Sequence, residues 1–159
     1  DYSNSAIVDF GLAVEKVEAA VAAARAQDFP FALTARSENF IRGNPDLDDT
    51  IRRLQAFEAA GADVLYAPGL PSLEAVRTVC QSVGKPVNVV MGLTGSGMTT
   101  AQLAAVGVRR ISLGGVLARA ALGAFMAAAA EIQAGSYNFV DDAASFAKIS
   151  QYMKRPEPS

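Results

Sequence analysis

An arginine at the end of a short apolar strand is the first residue here whose type and place could do chemistry. Residues 29–44 read FPFALTARSENFIRGN. Phe31, Leu33 and Ala35 alternate with Ala32, Thr34 and Arg36, which is the period of a strand. Arg36 falls where that strand stops and a polar, glycine-containing loop begins. In parallel α/β proteins, ligands collect beyond the carboxyl ends of strands. A guanidinium there offers a planar fork that can grip a carboxylate or phosphate with two hydrogen bonds. A structural salt bridge to Glu38 is the other use of the same charge.

Further polar residues interrupt later apolar strands. Asn88 can donate and accept, which suits a carboxylate or a carbonyl oxygen, or else a nearby backbone group. Ser112 reads as structural, and Tyr66 offers only its hydroxyl. Two glycine-rich loops follow the last two strands: Gly92-Leu93-Thr94-Gly95-Ser96-Gly97, and Gly114-Gly115. Loops at these places hold phosphate in many barrels, although no Lys-Ser/Thr follows the glycines as a Walker A loop requires. Asp46, Asp48 and Asp49 could be read as metal ligands. Their place at a helix start favours capping, because the macrodipole attracts negative charge there. Cys80 falls on the apolar stripe of its helix with Val76 and Val83, as a small buried hydrophobe.

The elements that must position these residues form a series. A helix is predicted over 11–27, then the strand 31–36, and then a helix to about Ala60. Gly61, Gly84 and Gly107 follow at intervals of 23 residues, each closing an apolar-periodic helix and opening a short strand: 63–66, 86–91 and 109–113. From Asp28 to Gly61 the interval is 33 residues, and the ten extra lie close to the loop after Arg36. A loop lengthened after one strand only is where function concentrates. Val116 to Ala134 reads as a long helix. Asp141-Asp142 is expected to cap a last helix to Met153, and 154–159 to fray. Four β/α units make a parallel sheet with right-handed crossovers. Its two open edges and one uncovered face suggest half of a (β/α)₈ barrel, with a small doubly wound domain as the alternative. The domains expected are a half-barrel over 1–140 and a C-terminal helix over 141–153.

Composition limits the function. The chain of 159 residues is 51% hydrophobic and 19% charged, with a net charge of −2, so nothing in it favours nucleic acid or an anionic membrane. It contains no histidine, which excludes Ser-His-Asp and Cys-His catalysis and His-ligated metals within these residues. One cysteine permits no internal disulfide, consistent with a reducing cytoplasm. Asp1-Tyr2-Ser3 lacks the basic start of a signal peptide, and the apolar run Ala120–Ala130 is shorter than a bilayer span.

The runs LTARSENFIRG, DDTIRRLQAFEAAGADVLYAPGL, KPVNVV and LAAVGVRRISLGG resemble the isocitrate lyase and phosphoenolpyruvate mutase superfamily, most closely its phosphonomutase-like branch. The similarity extends from about Asp9 to Asp142. It implies a (β/α)₈ barrel, a homo-oligomer with an exchanged C-terminal helix, and a small α-keto or α-hydroxy carboxylate substrate. It also implies Mg²⁺ and C–C or C–P chemistry through an enolate. By resemblance, Arg36 matches the strand-five arginine that holds the substrate carboxylate, and Asn88 a polar strand-seven position facing substrate. Glu38 falls at a supporting acidic position and is not a metal ligand.

There are departures from the family pattern. YAPGL stands where lyase branches carry a glutamate, which argues against a true isocitrate or methylisocitrate lyase. The family's metal-binding acids and cysteine-bearing loop lie on the first four strands. The chain therefore corresponds to the C-terminal half, with Asp1 just after the last of those acids and Cys80 not the loop cysteine. The Mg²⁺ ligands are expected outside these residues. The reading is part of a Mg²⁺-dependent lyase or mutase, with Arg36, Glu38, Asn88, Gly114 and Gly115 as candidate substrate contacts. A non-catalytic half-barrel that binds or assembles, and an unrelated phosphate-binding fragment, are the alternatives.

Overall fold

The computed structural model describes residues 6–92 and 97–153. Helix α1 spans Phe10–Arg25, and the Asp9 side chain accepts from the Leu12 N–H at its start. Strand β1 is Thr34–Arg36, shorter than the predicted 31–36, with Phe29 and Phe31 exposed before it. Helix α2 is Leu47–Ala59, β2 is Val64–Tyr66, and α3 is Leu73–Ser82. The series continues with β3 (Val87–Val90), α4 (Thr100–Ala105) and β4 (Arg110–Ser112).

The four strands form one parallel sheet in the order β1-β2-β3-β4. Each strand pairs with its neighbour in sequence and the order never reverses. A doubly wound sheet needs such a reversal, so the half-barrel expectation holds and the doubly wound alternative does not. Strand alternation then sorts the side chains. Ala35, Leu65 and Val87 face the helices and join Leu54, Phe57 and Val79 in one core cluster. Val76, Leu103, Val106 and Val108 form a second cluster. Leu54, Leu65 and Leu103 are fully buried, each worth about 1.5–3 kcal/mol relative to exposure. The opposite face of the sheet carries the polar residues.

Two of the three repeating glycines do what the spacing suggested. Gly61 (φ 99°) and Gly107 (φ 104°) take the left-handed backbone after their helices. Gly84 differs: its φ is not positive, and its N–H donates to Glu58 Oε2 at 2.9 Å. A Cβ at 84 would lie 2.6 Å from Glu58 Oε1, so a side chain there would have to displace that carboxylate, while the backbone conformation suits any residue. Arg25 extends the corner at the start of β2, with Nη2 2.7 Å from Asp63 Oδ1, while the Leu33 N–H donates to Oδ2. The Arg25 bond holds the Asp63 carboxyl below its ordinary range.

The chain divides into two compact units, Asp1–Gly114 and Gly115–Ser159. The boundary falls before the long helix, which the sequence had grouped with the strands. The second unit holds α5 (Val116–Gln133), a 3₁₀ turn at Asn138–Val140 and α6 (Phe146–Met153). Helix α6 begins later than expected. Ser145 Oγ accepts from the Lys148 N–H, so Ser145 provides the cap assigned to Asp141-Asp142, which lie in a preceding turn. Residues 154–159, expected to fray, lie outside the described residues. A further correction concerns α5. As a whole helix it is long and apolar enough to cross a membrane by length and composition, beyond the 120–130 run considered alone. It carries Arg119 and Glu131, and Leu117, Leu122, Phe125 and Met126 are exposed on it.

Candidate functional site

One register row crosses the whole sheet: Arg36 opposite Tyr66, Tyr66 opposite Asn88, Asn88 opposite Arg110. Residues paired in register on parallel strands project from the same face. This row therefore lies on the face away from the helices, the interior face of a barrel. Arg36 and Tyr66 end their strands, whereas Val90 and Ser112 continue β3 and β4 one pleat further. The sequence picked out Arg36 and Asn88, and the structure places them on this common face with Tyr66 between. Arg110 was missed. It stands two residues before Ser112 and so shares its face, but it is the register with Asn88 that singles it out from Arg109.

At the first end of the row, Arg36 Nη2 lies 2.7 Å from Glu38 Oε1, and its guanidinium stands 5.5 Å from the centre of the Tyr66 ring. Arg42 Nε donates to Glu38 Oε2 at 2.8 Å. Glu38 is thus shared between two guanidiniums. The Arg36–Glu38 bridge foreseen as an alternative is present, yet the Arg36 side chain remains 41% exposed with further donors to offer. Arg36, Glu38 and Arg42 line a cleft of ≈ 280 Å³ that Lys16 and Val8 also bound. Burial pushes the Tyr66 phenol up, and the nearby Arg36 and Arg110 charges offset part of that.

The ARSEN run is built by alternation. All four of Arg36, Ser37, Glu38 and Asn39 line the cleft, with Arg36 and Glu38 partly exposed and Ser37 and Asn39 buried. The Ser37 N–H donates to the Tyr66 carbonyl, and Ser37 Oγ donates to Asn39 Oδ1 at 2.7 Å. Asn39 Nδ2 donates to Asp49 Oδ2, which also accepts from Arg53 Nε. Arg53 Nη1 reaches the Val8 carbonyl at 2.9 Å. This network ties the strand-end loop to α2 and to the entry segment. Of the three candidate capping acids, Asp46 is the cap, accepting from the Asp49 N–H. Asp49 is instead the hub of the network, which corrects the capping assignment. Burial raises its pKa, but bonds from Arg53, Arg52 and Asn39 outweigh this and bring it to about 2.

At the other end of the row, Asn88 is 1% exposed, accepts from Arg110 Nη1 at 2.7 Å and donates to Ser112 Oγ at 3.1 Å. Gly114 follows β4 in a left-handed conformation (φ 53°), and Gly115 precedes α5. The turn requires glycine at 114 whatever it binds. Leu93–Ser96, the centre of the other proposed phosphate loop, lie outside the described residues.

The described residues offer no group of three His, Cys, Asp or Glu side chains able to hold a metal. Glu38 and Asp49 are neutralised by arginines. The carboxylates near this row therefore do not fit Mg²⁺. Cys80 is half-buried against both cores, with its thiol pushed up by burial.

Comparison with known proteins agrees with this architecture. A candidate lyase/mutase from Burkholderia cenocepacia J2315 superposes with a TM-score of 0.90 at 51% identity, over 94% of this chain and 54% of that one. 2,3-Dimethylmalate lyase, a phosphoenolpyruvate mutase/isocitrate lyase superfamily member, gives a TM-score of 0.72 at 27% identity, over 83% of this chain and 47% of that one. Oxaloacetate decarboxylase of Paraburkholderia xenovorans (strain LB400) is 37% identical over 82 residues, 52% of this chain and 26% of the relative. The chain thus spans about half the length of the solved relatives and less of the curated one. Residues 1–133 match the family described as phosphoenolpyruvate phosphomutase. That match runs through the end of α5, which places α5 within the family's domain. By this match the chain belongs to the phosphoenolpyruvate phosphomutase family, within the phosphoenolpyruvate mutase/isocitrate lyase superfamily.

Proposed function

We propose that this chain supplies the carboxylate-holding half of a Mg²⁺-dependent lyase or mutase. The enzyme would make or break a C–C or C–P bond of a small α-keto or α-hydroxy carboxylate through an enolate. The observation that carries this reading is the Arg36–Tyr66–Asn88–Arg110 row. Two guanidiniums on one face with the single carboxylate of Glu38 leave net positive charge, which favours a dianion. The relatives' names point the same way, since oxaloacetate and 2,3-dimethylmalate are both small dicarboxylates.

In this reading Arg36 keeps Glu38 at one edge of its fork and turns its remaining donors to the substrate carboxylate. Orientation of that kind contributes to rate by holding the scissile bond in place. Gly114 and Gly115 let the chain approach the substrate closely beyond β4. The Mg²⁺ ligands would come from outside these residues. The functional setting is a cytoplasmic homo-oligomer, consistent with a single unpaired cysteine.

Calorimetry with oxalate, a compact dianion, tests the reading on the chain itself. Oxalate should bind without Mg²⁺, and Arg36→Ala should weaken it on the order of 10-fold or more. Equal binding by chain and variant would overturn it. A second reading, a non-catalytic half-barrel that assembles with a partner, draws on the exposed apolar side chains of α5. Assembly without oxalate binding would favour it.

A further inference from the structure

We propose that Arg110, Asn88 and Ser112 form a one-way hydrogen-bond relay that makes the Ser112 hydroxyl a polarised donor to a substrate oxygen. The proposal rests on the substrate-site reading above and adds two residues to it. Arg110 is a positioning residue, and Ser112 is the contact.

The direction of the relay follows from chemistry. A guanidinium has donors only. With Arg110 Nη1 2.7 Å from Asn88 Oδ1, the amide must turn its oxygen to the arginine. Its NH₂ therefore faces Ser112 Oγ, 3.1 Å away. Ser112 accepts that bond, and its own O–H remains to donate. Asn88 is fully buried, so the amide is not randomised by water. The positive charge polarises the amide, and the polarised amide in turn strengthens the hydroxyl as a donor.

The place of Ser112 matches such a role. It is the last residue of β4 and pairs with Val90, one pleat beyond the Asn88–Arg110 pair on the same face. That is the carboxyl end of the strand, where ligands collect. The charge balance also fits. Unlike Arg36, which has Glu38, Arg110 has no ion pair among the described residues, and its bond goes to a neutral amide.

The test combines oxalate calorimetry with nuclear magnetic resonance of the Asn88 side-chain NH₂ pair, using this chain. Ser112→Ala should weaken oxalate on the order of 10-fold, as expected for loss of a bond to an anion. Ser112→Thr keeps the hydroxyl and should stay within about 2-fold of the unsubstituted chain. Arg110→Met should shift the Asn88 NH₂ signals and weaken oxalate about as much as Ser112→Ala. Because both act through one relay, the double variant should be no worse than either. An additive double variant would overturn the relay, since Arg110 would then meet the anion directly. Unchanged affinity in a folded Ser112→Ala would overturn it too. An unsubstituted chain that binds no oxalate would bring down the site reading and the relay together, before any variant is compared.

Discussion

Arg53 Nε donates to Asp49 Oδ2 at 2.7 Å, and this contact inside α2 anchors the loop that carries Arg36. The same Asp49 oxygen accepts from Asn39, and Asn39 holds Ser37, the residue beside Arg36. The Arg53 side chain is 9% exposed. Removing its partner would strand a nearly buried charge, which costs about 3 kcal/mol or more. Asp49→Asn should therefore lower the melting temperature by several degrees, and oxalate binding should weaken with it as the Arg36 loop loosens. A variant with an unchanged melt would show that Asp49 is not the hub.

The same pair sets a pH dependence. The Asp49 pKa falls from 3.8 to about 2 on folding, because bonds from Arg53, Arg52 and Asn39 outweigh the effect of burial. A depressed carboxyl contributes stability above its unfolded pKa and loses it as pH falls through the folded one. The contribution, about 2 kcal/mol, is complete above about pH 4 and gone below about pH 2. Denaturant melts across that window should show the stability gap between the native chain and Asp49→Asn closing as pH falls. A gap that stays constant would assign the effect elsewhere.

The repeating glycines make different predictions despite equal spacing. Gly107→Ala forces a left-handed alanine and brings a Cβ 3.1 Å from Cys80 Cβ, for about 2–4 kcal/mol in all. Gly84→Ala meets only the Glu58 carboxylate, which can swing away, so its cost is about 1 kcal/mol for the lost bond. In a Glu58→Ala background, Gly84→Ala should be close to neutral. Thermal melts of the four variants decide this, and equal losses at 84 and 107 would contradict it.

The glycines also show what was legible in the sequence. Their spacing located β2, β3 and β4, because a helix, a strand and two loops fill a fixed length of chain, and alternation alone located β1, though longer than it is. The reason for Gly84 was not legible, since it depends on Glu58 arriving from α2, one β/α unit earlier in the chain. Arg36 and Asn88 stood out as polar residues in apolar strands. Arg110 did not, because an arginine beside Arg109 at a strand start looks like a solvated pair until the register with Asn88 is known. The Asp49 hub was hidden for a similar reason. Acids at a helix start have a local explanation in capping, and only the fold brings Asn39 to one of them.

Assembly follows from surface chemistry. Leu117, Phe125 and Met126 are each more than 60% exposed on α5, and β1 and β4 have unpaired edges in the four-stranded sheet. Exposed apolar side chains and open parallel edges drive association. Light scattering should show the chain self-associating, and Phe125→Lys with Met126→Lys should reduce it. A monomer at high concentration, unaffected by those changes, would contradict the half-barrel's need for a partner surface.

The Arg36–Glu38 bridge leads to the last prediction, because it separates a functional from a structural arginine. Both side chains are partly exposed, at 41% and 29%, so the bridge itself contributes only about 0–1 kcal/mol to stability. Arg36→Ala should thus change the melting temperature little. In an active form of the enzyme that contains these residues, it removes a charge-assisted grip on the substrate. Turnover should then fall on the order of 10²–10³-fold. Arg36→Lys should recover little, since an ammonium cannot reproduce the planar fork. Glu38→Gln separates the roles further. It leaves the arginine in place and removes the competing carboxylate, so oxalate should bind the chain as tightly as before or more tightly. A structural arginine gives the opposite pattern: a large loss of stability in Arg36→Ala, near-normal turnover, and oxalate binding insensitive to both residues.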